Sequence, residues 1–184
     1  MEEWASLMHN GGWYAWLQGR YEVAEQMAGK AQRSRKKRLG EDDERTLASM
    51  SLLALVFLAR GLWVQAESLG VQVMETRKRM LGEEHPWTLT SMGNLALTYW
   101  NRGRWVEAES LEAQVMEARK RVLGEEHPLT LTSMNNLAFT WKEQGRHTDA
   151  LALMEDCAQA RQRVIGADHP ETLSSLATVG EWGR

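Results

Sequence analysis

The chain has one cysteine, Cys157, in 184 residues. No disulfide framework can form within it, which points to a reducing intracellular compartment and a cytoplasmic location. Proline is scarce. Only Pro86, Pro128 and Pro170 occur, each following a histidine. No apolar run approaches the roughly 18–20 residues needed to span a bilayer. The opening MEEWASLMHNGG is acidic and broken by glycines, unlike a secretory signal. No GxxxxGK[ST] phosphate loop is present, so nothing in the chain reads as a nucleotide module. Neither sign of charge dominates: 22 basic and 25 acidic residues leave a net −3, with no overall attraction for nucleic acid or membrane. Tryptophan, by contrast, is abundant at nine residues, and a hydrophobic content of 43% is ordinary for a globular chain with one good-sized core.

Internal repetition organises the rest. Segments GEDDERTLASM, GEEHPWTLTSM, GEEHPLTLTSM and GADHPETLSSL start at Gly40, Gly82, Gly124 and Gly166, each 42 residues after the last. Gly19, Gly61, Gly103 and Gly145 form a second ladder at the same period, and Ala24, Ala66, Ala108 and Ala150 a third. Well over half of the positions agree between the units starting at Gly40 and Gly82. One domain over 1–184 is expected, with repeat units about 1–39, 40–81, 82–123 and 124–165 and a capping helix in 166–184.

Each unit reads as two helices. Leu89, Met92, Leu95, Ala96 and Tyr99 recur at helical spacing after Pro86, which suits a first helical turn. Gly103 ends this helix. A second begins at once, with Trp105, Ala108, Leu111, Val115, Met116 and Val122 expected on its buried side and Gly124 as a left-handed cap. The spacing predicts helices at about 2–18, 21–39, 44–60, 63–81, 86–102, 105–123, 128–144, 147–165 and 170–182. Neither helix of a pair can bury its stripe alone, so stacked units supply one another's core. Ala96 and Ala108 are expected where paired helices approach closest.

The order Leu95–Ala96–Tyr99–Gly103–Ala108 resembles the tetratricopeptide repeat, and the pattern GEEHPxTLTSMxNLAxxYxxxGRWxEAE resembles its 42-residue form in kinesin light chains. The chain is also similar, over essentially its whole length, to the carboxy-terminal repeat arrays of fungal NB-ARC-type STAND proteins, the NOD-like receptors. Glu41, Asp42, Asp43 and Glu44 depart from the Glu-His-Pro pattern, which predicts a looser turn there. The resemblance implies an all-α, right-handed superhelix of helix–turn–helix repeats, a protein-interaction role in place of an enzymatic one, and no cofactor. It implies the ligand-sensing domain of a STAND receptor of innate immunity or, alternatively, a kinesin-light-chain-like cargo adaptor.

In such arrays the first helix of each pair lines a concave groove. Carried over, the groove rows are His9, Ser51, Gly93 and Asn135; Asn10, Leu52, Asn94 and Asn136; Trp13, Leu55, Leu97 and Phe139; and Trp16, Leu58, Trp100 and Lys142. The candidate peptide-binding set is Asn10, Trp16, Asn94, Trp100, Asn135, Asn136 and Lys142. An amide donates and accepts at once, matching a peptide N–H and C=O pair. Indole rings suit interface anchors. An Asn inside a helix also bonds readily to water or a neighbouring turn, and Trp16 and Trp100 read equally well as core. Trp13, Trp63 and Trp105 read as core fillers.

Three further patterns carry weaker chemistry. Lys30 to Arg38 reads KAQRSRKKR, with echoes at Arg77–Arg79, Arg119–Arg121 and Arg161–Arg163, a ridge that a phosphate backbone could follow. Each run also ends a helix and precedes acidic residues, where cations are favoured anyway, and the net charge argues against nucleic acid. His85, His127 and His169 recur once per unit, about 20 Å apart in stacked helix pairs, too far to share a metal. They read as helix-start residues. Cys157 falls in an apolar register with Val73 and Val115, as a small buried residue. An array with an apolar first helix, Trp4, Leu7 and Trp13, is expected to self-associate weakly.

Overall fold

The computed structural model describes residues 2–184, which form nine α-helices and no strands. They are α1 (Glu2–Leu17), α2 (Tyr21–Leu39), α3 (Glu44–Ala59), α4 (Trp63–Leu81), α5 (Pro86–Asn101), α6 (Trp105–Leu123), α7 (Pro128–Glu143), α8 (His147–Ile165) and α9 (Pro170–Trp182). The expected boundaries hold to within a residue. The chain divides into two compact units, one ending at Arg102 and one running from Gly103 to Arg184. In the first, α1 to α5 pack each on the next, and the first helices α1, α3 and α5 also touch in sequence. In the second, α6 packs on α7, α7 on α8 and α8 on α9.

The first helices start by a repeated device. His85, His127 and His169 are N-caps with extended backbone, and each Nδ1 accepts the N–H two residues on, at 3.2 Å. The following Pro occupies the first helical turn, where no N–H is needed. Asp43 takes the histidine's register and its conformation, φ −68° and ψ 132° against −64° and 138° at His85. Its carboxylate accepts the Arg45 N–H at 2.9 Å and pairs with the Arg45 guanidinium. The departure at 41–44 therefore does not loosen the turn: a short carboxylate caps as well as an imidazole does.

The helix ends correct one expectation. The hydrogen bonds that wrap a helix around a left-handed glycine belong to the other ladder: Gly61 N–H reaches Leu58 C=O and Leu62 N–H reaches Phe57 C=O, with φ +71° at Gly61. Gly19 and Gly145 repeat the pattern. Gly124, read from sequence as the left-handed cap, has φ 97° and ψ 161°. That is the mirror of extended backbone, a region open essentially to glycine alone.

Burial follows the alanine ladders. Ala24, Ala66, Ala108 and Ala150 are fully buried, as are Ala96 and Ala138. Gly12 occupies the register of Ala96, and a Cβ there would lie 3.2 Å from Leu52 and 3.3 Å from the Ala28 backbone. So α1, α2 and α3 meet where side chains are smallest. Leu47, Met50 and Val73 form one cluster of the first unit, and Ala15, Ala24, Ala28, Leu52, Leu53 and Val56 another. In the second unit Met116, Leu131, Met134, Leu137, Cys157 and Ala160 pack together. Three expected core positions are not core. Trp63 opens α4 and Trp13 turns outward on α1, both exposed, and Val122 is half exposed because Arg119 takes the inward register of that last turn.

Candidate peptide-binding face

The strongest polar construction in the molecule is an arginine ladder. Arg35, Arg77, Arg119 and Arg161 stand five residues before the glycines that follow the second helices. Each Nη1 donates to a serine on the next first helix: Ser49, Ser91, Ser133 and Ser175, at 2.7–2.9 Å. Each also reaches the carbonyl four residues before that serine, at Arg45, Trp87, Leu129 and Glu171. Arg35 and Arg77 reach back as well, to Glu2 on α1 and Glu44 on α3. A buried guanidinium thus ties neighbouring first helices together.

The carboxylate partner then disappears from the sequence. The register of Glu2 and Glu44 holds Pro86 and Pro128. Arg161 compensates with Glu171, and its Nη1 lies 3.4 Å from the Asn135 Oδ1. Arg119 is half-buried, bonds only Ser133 and the Leu129 carbonyl, and pairs with no carboxylate among the described residues. Burial pulls its pKa down.

The second unit carries a buried acid, Glu112, where other repeats place Ala28, Gly70 and Met154; Glu109 beside it stands in a register that is also acidic at Glu25 and Glu67. Glu112 on α6 is buried and accepts the Thr140 hydroxyl at 2.6 Å. Burial pushes its carboxyl up to about 7; the Thr140 bond lowers it and the nearby Glu109 raises it. Burial also pushes Glu109 upward, but bonds from Gln144, Trp141 and Arg146 outweigh this and hold it below the ordinary value. These residues lock α6 to α7.

The candidate groove residues divide by environment. Asn10 and Asn136 are exposed, and Asn94 is half-exposed beside a crevice of about 10 Å³ lined also by Ser51, Gly70 and Ser91. That volume holds at most one water, so the face is open and not a pocket. Leu52, in the same row as the asparagines, is fully buried against the place where Gly12 lacks a side chain. Asn135 is drawn to Arg161. Trp16 packs on the first unit's core, with Trp13 edge-on at 5.4 Å, and the indole N–H groups of Trp16 and Trp100 are buried without a partner. Neither indole N–H is available to a ligand. The apolar row fares differently: Trp13, Leu97 and Phe139 are 36%, 42% and 36% exposed. The Lys142 ammonium lies 5.3 Å from the Trp182 ring, which also meets Phe139 edge-on at 5.1 Å.

His9 sits half-buried near Ser49, its pKa lowered by burial and by the Arg35 charge. Cys157 is fully buried, its thiol donating to the Leu131 carbonyl and pushed up by burial. Most of the basic ridge is spent internally. Lys36 pairs with Glu41, Lys78 with Glu83, Arg79 with Asp42 and Arg163 with Glu126. No helix among the described residues is long and apolar enough to cross a membrane.

The arginine ladder and Glu112 were missed from sequence because charged residues in an amphipathic helix are assigned to the wet face by default. One signal was there: the arginines and their serine partners recur together at the repeat period.

Models of the tetratricopeptide repeat match residues 5–79, 88–129 and 130–171. No curated protein matches the sequence. Among solved structures, a kinesin-light-chain-type protein from Podosopora anserina with nearly identical TPR-like repeats superposes with a TM-score of 0.85 at 26% identity, over 99% of this chain and 86% of that one. BtubC (BKLC) from P. vanneervenii superposes at 0.80 with 19% identity, over 93% of this chain and 68% of that one. With its capped helix pairs, small-residue ladders and matches running through most of its length, the chain belongs to the tetratricopeptide-repeat family.

Proposed function

We propose that this scaffold binds an extended or helical protein segment on the first-helix face of each unit, with Asn94 and Leu97 as principal contacts in the first unit and Asn136 and Phe139 in the second. One observation carries the reading. Leu97 and Phe139 stay substantially exposed on helices whose adjacent register, Ala96 and Ala138, is fully buried. Apolar side chains held outward beside free amides are what a peptide-binding face requires: surface to desolvate, and donors and acceptors for the backbone. Trp16 and Trp100 shape that face from beneath.

The parent role we propose is the sensing domain of a STAND receptor, in which target binding to the repeats controls a nucleotide-binding module elsewhere in the protein. It rests on the resemblance of the repeats. The adaptor reading, constitutive capture of peptide motifs as in a kinesin light chain, is supported by the Podosopora anserina likeness. A nucleotide-binding module in the full-length gene product would favour the receptor, and its absence the adaptor.

The binding face itself is tested by affinity capture. Asn94→Ala, Asn136→Ala and Phe139→Ala together are expected to abolish retention of a partner held by the wild-type chain, with the circular dichroism melt unchanged. Undiminished retention by the triple variant would move the site off this face.

A further inference from the structure

We propose that a hollow in the second unit, between the turn before α7 and the helix α8, receives an arginine side chain presented by a partner protein segment. The hollow has a volume of about 350 Å³, within the usual range of ligand clefts, about 300–1,000 Å³. Leu131 and Met134 of α7 and Ala160 of α8 line it and are buried, so its floor is apolar. Glu125, from the turn, and Asp156, from α8, line it as well and are exposed. Neither carboxylate has a hydrogen bond or an ion pair among the described residues.

In the first unit the same registers are tied together. Glu41, in the register of Glu125, pairs with Lys36 and accepts a hydrogen bond from Gln72 at 3.2 Å. In the second unit Asp156 takes the place of that amide, and of Lys30, Gln72, Gln114 and Asp156 it alone is acidic. A carboxylate cannot donate to Glu125. Lys120, in the register of Lys36, stands 3.7 Å from Glu117 instead. Arg163 is spent on Glu126. Two carboxylates are thus left without a cation beside an apolar floor. Charge complementarity selects a positive group, and the floor selects one with an apolar stem. Arginine supplies both: methylenes to lie on Leu131, Met134 and Ala160, and a planar guanidinium that meets a carboxylate with two donors. A bare metal ion fits less well, because no group of three or more His, Cys, Asp or Glu among the described residues could hold one. None of the lining residues belongs to the proposed first-helix contacts, so the inference stands apart from that reading.

Titration of the labelled chain with blocked Gly-Arg-Gly peptide, followed by proton–nitrogen NMR, tests this. Saturable shifts are expected to cluster on the amides of Glu125, Leu131, Met134, Asp156 and Ala160. Glu125→Gln/Asp156→Asn, which keeps the shapes and removes the charges, is expected to bind about three- to tenfold more weakly, as two exposed ion pairs predict. A control of equal charge outside the hollow, Glu143→Gln/Asp168→Asn, should bind like the wild type. Equal weakening in both variants would reduce the effect to net charge and overturn the proposal. Shifts that never saturate or that scatter over the surface would overturn it too, as would equal binding of a peptide with neutral citrulline in place of arginine. Displacement of the peptide by an equimolar amount of calcium would overturn it in favour of a metal site. Asn94→Ala/Asn136→Ala/Phe139→Ala should leave this titration unchanged, so the two surfaces stand or fall separately.

Discussion

A carboxyl group at position 112 sits where the other repeats place Ala28, Gly70 and Met154. Its burial makes ionisation costly, and the single bond from Thr140 does not offset that cost. The folded-state value, about 7, lies above the ordinary value of 4.5. The stability this group contributes is thus fully present below 4.5 and is lost as pH rises to about 7. The loss amounts to at most about 3 kcal/mol. Glu112→Gln, which keeps the shape without the charge, should be more stable than the wild type above pH 7. The difference should shrink towards pH 4.5 in urea titrations. A gap independent of pH would place the cause elsewhere.

Arg77 and Arg119 occupy equivalent registers but differ in company. Arg77→Ala removes a buried guanidinium from the partly exposed Glu44 and from the Ser91 hydroxyl and is expected to cost about 2–3 kcal/mol. Arg119→Ala removes two hydrogen bonds and no ion pair, and about 1–2 kcal/mol is expected. Chemical denaturation of the two variants compares them directly, and equal losses would show that Glu44 contributes little.

At the scale of elements, the two glycine ladders separate the helices by different means. A Cβ at Gly61 or Gly82 would meet nothing within 4 Å, so any cost of substitution is backbone strain alone. Gly61→Ala places alanine at φ +71°, a left-handed position costing about 1–2 kcal/mol. Gly82→Ala forces φ 93° and ψ 164° on an L-residue, and up to about 3 kcal/mol is expected. Urea midpoints should fall further for Gly82→Ala; the reverse order would contradict the assignment of the two turns. The helices were legible in the sequence because their punctuation is local: a cap, a proline and a glycine each act within a few residues. Gly124 was misread for a related reason. A glycine after a helix announces positive φ, but its ψ is set by the chain that follows.

At the scale of the molecule, α1 is an unusual first helix. Trp4, Leu7 and Tyr14 stand at 46%, 63% and 66% exposure, in the registers where α3 places the fully buried Thr46, Ser49 and Val56. Such a face favours association. Concentration-dependent dimerisation is expected in sedimentation, weakened by Leu7→Ser; a monomer at high concentration would contradict it.

Periodicity, capping residues and small-residue ladders determined the repeat, the number and limits of the helices and most of the buried apolar set, since each depends on spacing along the chain. Which charged residues turn inward, which tryptophans stay out and which cations remain unpaired were decided only in three dimensions. Arg77 is buried because Glu44 and Ser91 converge on it from positions 33 and 14 residues away. Lys30, in a helix of the same pattern, is exposed. Partners distant in sequence make that difference, and a single helix cannot announce them.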